Sequence, residues 1–201
     1  MKSIAIFCGS TMGTDSIFAE TAQRTGQLIA KQGKTLVYGG GRSGLMGVVA
    51  DSALAAGGEV IGVIPQGLVD RELAHPHLTE LHVVTSMHER KTLMADLSDG
   101  FIALPGGAGT LEEIFEQWTW AQLGIHLKPC AFLNVEGFYD PLLQFIRLTT
   151  EKEFTRSRFT DALINSDSIA HILNQFERYV APPPKWGVQD HQDLVKLDEV
   201  K

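Results

Sequence analysis

Short, fully apolar runs alternate with longer stretches of helical spacing from the N-terminus to about residue 180. A run such as Ile4-Ala5-Ile6-Phe7-Cys8 carries no polar position. It suits a strand covered on both faces. Segments 35–38, 60–64, 81–84, 100–104, 130–134 and 163–165 read in the same way. Segments 14–31, 45–56, 86–97, 109–123, 139–153 and 168–180 have helical periodicity, and 66–80 reads as a loop with one helical turn. Regular strand–helix alternation predicts the α/β class: a single-domain, Rossmann-like, doubly wound parallel sheet with helices on both faces. The domain is expected to span 1–180. Ala181-Pro182-Pro183-Pro184 cannot continue a helix, and 181–201 is expected to be a loosely ordered, mostly polar tail.

Composition narrows the function. The formal net charge is −7 over 201 residues, which argues against general nucleic-acid binding, since that needs a basic face. A small anion remains compatible, because a few basic groups and helix N-termini suffice to hold one. No run approaches the about 20 apolar residues of a membrane span, and the first apolar run is too short for a secretory signal. Cys8 and Cys130 both sit in apolar runs. They form no disulfide framework and fit a reducing, cytoplasmic setting.

Ligands of open α/β sheets bind at the carboxyl ends of the strands, and three loops there are rich in glycine. They are Gly9-Ser10-Thr11-Met12-Gly13, Gly39-Gly40-Gly41-Arg42-Ser43-Gly44-Leu45-Met46-Gly47, and Pro105-Gly106-Gly107-Ala108-Gly109-Thr110. Each opens a helix, so backbone N–H groups and the positive helix end can face an anion. Gly39, Gly41 and Gly44 formally match the dinucleotide fingerprint. The acidic residue expected about 20 positions on is missing, since the next strand ends in Ile64-Pro65-Gln66. No loop supplies the Gly-Lys-Ser/Thr of a Walker A motif. The seven histidines have no metal-ligand spacing, so neither a metal nor a cofactor is expected.

Charged residues flank the third loop. Arg90 and Lys91 lie early in the helix before strand five, and Glu112 and Glu113 open the helix after it. All four can face one crevice. Thr110-Leu111-Glu112-Glu113 is also a capping-box pattern. From that pattern alone, Glu113 reads as a cap of its own helix rather than as a chemical group. The helix 112–123 carries apolar residues, including Trp118 and Trp120, on nearly every side. That predicts a subunit interface.

Pro105-Gly106-Gly107-Ala108-Gly109-Thr110-Leu111-Glu112-Glu113 resembles the P-G-G-x-G-T-x-x-E signature of the Lonely Guy family, the cytokinin riboside 5′-monophosphate phosphoribohydrolases. Met87-His88-Glu89-Arg90-Lys91 resembles that family's arginine-bearing motif. Gly39–Gly47, Pro65, Arg71-Glu72-Leu73 and Thr119-Trp120-Ala121-Gln122-Leu123-Gly124 also fit. The family's older label, lysine decarboxylase, finds no support here, because nothing singles out a Schiff-base lysine with its pyridinium partner. The resemblance implies hydrolysis of the N-glycosidic bond of a nucleoside 5′-monophosphate, AMP or an N6-modified AMP. It implies Arg90 and Glu113 as the catalytic pair. It implies Glu72, Lys91, Gly107, Ala108, Gly109, Thr110, Leu111, Glu112 and Thr119 as substrate contacts, with Gly9 and Ser10 beside them. It further implies a homodimer. A rival reading is a non-catalytic nucleotide carrier or sensor on the same fold.

Overall fold

The structure, a computed structural model, describes residues 1–71 and 73–186. Seven parallel strands form one sheet in the order β4-β3-β2-β1-β5-β6-β7. They are β1 (Ser3–Phe7), β2 (Thr35–Tyr38), β3 (Val60–Pro65), β4 (Glu80–Val84), β5 (Phe101–Ala103), β6 (Cys130–Leu133) and β7 (Ile164–Ser166). The chain winds outward from β1 to β4, then returns to lay β5 on the other side of β1. In that pairing Ala5, Ile6 and Phe7 face Phe101, Ile102 and Ala103. The reversal between β1 and β5 is where a doubly wound sheet opens a crevice at its carboxyl edge.

The apolar runs resolve into two faces. Ile4 and Ile6 of β1, and Cys8 just after it, point into one core, together with Ala22 and Ile29 of α1 (Ser16–Lys31), Val49 and Ala53 of α2 (Gly44–Ala55), and Ile172 and Phe176 of α8 (Ile169–Glu177). Ala5 and Phe7 point into the other. There they meet Met94 of α4 (Met87–Asp96), Ile114 and Trp118 of α5 (Ala108–Leu123), and Ile146 of α6 (Asp140–Glu151). Helices therefore cover both faces. A strand with two buried sides must be apolar throughout, which is the pattern its sequence carries.

The single turn expected within 66–80 is α3 (Gln66–Val69). One short helix, α7 (Ser157–Asp161), has no counterpart in the sequence reading, since five residues are too few to display a helical period. The last helix ends at Glu177 rather than at residue 180. The segment after it is anchored as far as Lys185, whose N–H donates to Gln122 O at 2.7 Å, and Arg158 Nη2 donates to Pro184 O at 3.3 Å. The rest of the expected tail, 187–201, lies outside the described residues. Among the described residues no helix is long and apolar enough to cross a membrane.

Candidate active site

The loops after β1, β2 and β5 meet at the carboxyl edge of the sheet. Gly44, the first residue of α2, has φ +59°, and a Cβ there would overlap the Ser10–Thr11 peptide. Only glycine allows the first two loops to touch in this way. Beside them is a cleft of about 320 Å³ lined by Cys8, Gly9, Ser10, Met46, Arg90, Gly107, Ala108, Gly109, Thr110 and Glu113.

One wall of the cleft is the start of α5. Its N-cap is Gly107, no side chain caps it, and its first turn holds no acidic residue. The first N–H groups of a helix have no intrahelical acceptor. No side chain or acidic residue meets them here, and the positive helix end favours an anion. The capping-box alternative for Glu113 is thereby corrected. The helix begins at Ala108, which makes Thr110 part of the first turn and not the N-cap.

Glu113 turns instead to α4. Arg90 Nη1 donates to Glu113 Oε1 at 2.7 Å, and Arg90 Nε donates to Val63 O at 3.1 Å. Both side chains are about nine-tenths buried. Val63 lies on β3, so the sheet fixes the plane of the guanidinium and the guanidinium fixes the carboxylate. Burial pushes the Glu113 carboxyl above its ordinary range, and the Arg90 charge and hydrogen bond hold it partly back. The Cys8 thiol, also in the cleft lining, is pushed up by burial first and the Glu113 charge second. It stays a neutral thiol.

A second charged cluster runs alongside. Lys91 Nζ donates to Glu112 Oε1 and, at 3.0 Å, to Glu116 Oε1. Burial alone would lower the Lys91 ammonium pKa, but the two carboxylates outweigh burial and raise it. The Arg90-Lys91 dipeptide thus sends two cations to alternate partners on α5.

Among the expected site residues, Arg90, Glu113, Gly9, Ser10 and Gly107 to Thr110 share the cleft. Lys91 and Glu112 stand beside it. Leu111 packs on the apolar core. Thr119 lies six residues beyond Glu113 on an exposed side of α5, its hydroxyl donating to Phe115 O at 2.7 Å. Glu72 lies outside the described residues. Sequence reading passed over Cys8, Met46, Glu116 and the Val63 carbonyl. Glu116 carries a signal, the i, i+4 spacing from Glu112. A backbone carbonyl such as that of Val63 carries none.

The fold and cleft define a Rossmann-type α/β protein with a buried carboxylate–guanidinium pair beside an uncapped helix N-terminus. A family model described as possible lysine decarboxylase matches residues 46–176. A cytokinin riboside 5′-monophosphate phosphoribohydrolase of Rhodococcoides fascians is 51% identical over 162 residues, 78% of this chain and 82% of the relative. A probable enzyme of the same name from Oryza sativa subsp. japonica is 42% identical over 193 residues, 93% of this chain and 86% of the relative. The chain belongs to this family of phosphoribohydrolases, the Lonely Guy family. A molybdenum cofactor binding protein from Rippkaea orientalis shares the fold, with a TM-score of 0.68 at 22% identity, over 89% of this chain and 97% of that one.

Proposed function

We propose that this chain hydrolyses the N-glycosidic bond of a nucleoside 5′-monophosphate, AMP or an N6-modified AMP, to the free base and ribose 5-phosphate. The observation that carries the reading is the Arg90–Glu113 pair, buried in a cleft whose wall is the uncapped start of α5. As the C1′–N9 bond breaks, its electron pair leaves with the base and positive charge builds on the ribose. A buried carboxylate stabilises that charge and orients the water whose oxygen bonds to C1′. One of the water's protons stays on the new C1′ hydroxyl and the other goes to the departing base. Arg90 holds Glu113 in place and as an anion. The N–H groups of Gly107 to Thr110 receive the 5′-phosphate, with Gly9 and Ser10 on the facing wall. Lys91, Glu112, Leu111, Glu72 and Thr119 are assigned to the remaining substrate contacts, and Lys91 and Glu112 form the rim.

The working form is a homodimer. Leu123, Ile125 and Leu127, at and beyond the end of α5, are exposed apolar residues, which suits an interface. Two buried, unpaired thiols, Cys8 and Cys130, suit the cytoplasm.

The test is incubation with AMP and, in parallel, with N6-isopentenyl-AMP, followed by chromatography for the free base. Release of adenine or its N6-substituted form together with ribose 5-phosphate is expected. A carrier or sensor would raise its melting temperature with the nucleotide and release nothing.

A further inference from the structure

The Gly39-Gly40-Gly41 loop is conspicuous in the sequence, yet the reaction above gives it no task. Gly39 follows the last residue of β2 and does not line the cleft. A Cβ built at Gly39 would overlap Arg90 Nη2 and stand 3.1 Å from Arg90 Cζ. Its φ lies outside the left-handed region, unlike that of Gly40 at +74°. The backbone at Gly39 therefore admits any residue, and what excludes a side chain is the guanidinium.

That guanidinium has nowhere convenient to go. Nε is bound to Val63 O on one side of the group and Nη1 to Glu113 Oε1 on another. Nη2, the remaining nitrogen, occupies the space over Gly39. A methyl group there displaces the guanidinium from Val63, from Glu113 or from both. Gly41, two residues on, differs: a Cβ there meets the end of the Met46 side chain, at 3.1 Å from Cε, and stands at ordinary contact distance, 3.9 Å, from Leu73 O.

We propose that Gly39 is a positioning residue for the reaction: its missing side chain is the space in which Arg90 aims its guanidinium at Glu113. The proposal rests on the reading of Arg90 and Glu113 as the catalytic pair. It gives the first glycine of the loop a task different from phosphate or dinucleotide binding.

The test is a double-mutant cycle read on AMP hydrolysis, with Tm measured for every variant. In the parent protein Arg90→Lys is expected to lower kcat at least about tenfold, since an ammonium cannot serve Val63 and Glu113 together in the guanidinium's geometry. Gly39→Ala is expected to lower kcat by at least about tenfold while KM for AMP moves less than about threefold. In the Gly39→Ala background, Arg90→Lys is expected to cost less than about threefold more, because both changes break the same contact. Gly41→Ala is expected to stay within about threefold of the parent.

Near-normal kcat in Gly39→Ala, strict additivity with Arg90→Lys, or an equal loss in Gly41→Ala each overturns the proposal. If Gly39→Ala does not fold, the proposal requires the Gly39→Ala, Arg90→Ala double variant to fold, since removing the guanidinium removes the clash. A double variant that also fails overturns it. If Arg90→Lys and Glu113→Gln hydrolyse AMP normally with Gly39 intact, the catalytic reading itself has failed and the proposal falls with it. A loss in those two with none in Gly39→Ala sinks the positioning role alone.

Discussion

Arg90 and Glu113 meet at 2.7 Å across 23 residues of sequence, both buried, with β5 running between their helices in the chain. The pair joins α4 to α5 at the switch point of the sheet. Arg90 has a second anchor in the Val63 carbonyl, so the carboxylate has an imposed direction. Charge held in place before the substrate arrives acts in the transition state without reorganisation.

Glu113→Gln separates charge from shape. Glutamine retains an acceptor for Arg90 but not the negative charge that the proposed mechanism sets against the ribosyl cation. AMP hydrolysis is expected to fall at least about a hundredfold in kcat, while AMP still protects the protein in a thermal shift assay. A buried guanidinium loses its counter-charge in this variant, so folding stability should drop by about 2 kcal/mol, below the usual cost of stranding a buried charge because one hydrogen bond survives. Glu112→Gln is the comparison. It loosens Lys91 and should raise KM more than it lowers kcat.

In the proposed mechanism the raised Glu113 pKa is expected to set the acid limb of the rate profile. Burial favours the protonated carboxyl, opposed by Arg90. The proposed mechanism needs the anion, so kcat/KM should fall as pH drops through a value above the ordinary carboxylate range of about 4.3. A pH–rate profile on AMP checks this. An acid limb at or below the ordinary value would mean that another group controls the reaction.

The alternation of runs was enough to place three glycine loops on one sheet edge and to bring Arg90, Lys91, Glu112 and Glu113 near one another. It could not assign partners. By local pattern Thr110-Leu111-Glu112-Glu113 reads first as a capping box, which is not what the structure shows. The choice is made by where α5 starts, at Ala108, and by a contact from a different helix. Tertiary contacts of that kind leave no local signature.

The proposed homodimer is supported by the outward residues of α5 and the segment after it. Ile114 and Trp118 are satisfied within the subunit, Trp118 Nε1 donating to Phe159 O at 3.1 Å. Leu123, Ile125 and Leu127 are not. Light scattering at micromolar concentration is expected to return twice the 22.0 kDa chain mass, and Leu127→Asp should shift the protein toward monomer. A monodisperse monomer in the parent protein would contradict the homodimer.

His126 gives a prediction about stability. Burial first, and the Lys128 charge second, push its pKa down to about 4. Its ring lies 5.2 Å from that of Phe101, and Nε2 stands 3.3 Å from Gln117 Oε1. The unfolded chain takes up this proton near pH 6.5, the folded one only near 4. Stability tied to His126 is therefore present above pH 6.5 and is lost as pH falls toward 4. Partial exposure screens the effect to about 1 kcal/mol, or ~2–4 °C in Tm for a chain of this size. His126→Gln should show a smaller drop in Tm between pH 7 and pH 4.5 than the parent.

The uncapped start of α5 predicts what the substrate must carry. Gly107 offers no side-chain acceptor, and α5 has no carboxylate in its first turn. The first N–H groups there have no acceptor within the helix and suit an anion. A 5′-phosphate supplies charged acceptors, and each charge-assisted hydrogen bond is worth about 1.5–3 kcal/mol. Adenosine lacks them. It should react with a kcat/KM at least about tenfold below that of AMP, since even one such bond, if felt in the transition state, accounts for that factor. Ribose 5-phosphate should inhibit competitively and ribose should not. The AMP advantage should shrink when Gly109→Asp places a carboxylate at the same helix end, because the anion site is then already served from within the chain. Equal kcat/KM for adenosine and AMP would show that the start of α5 does not bind the phosphate.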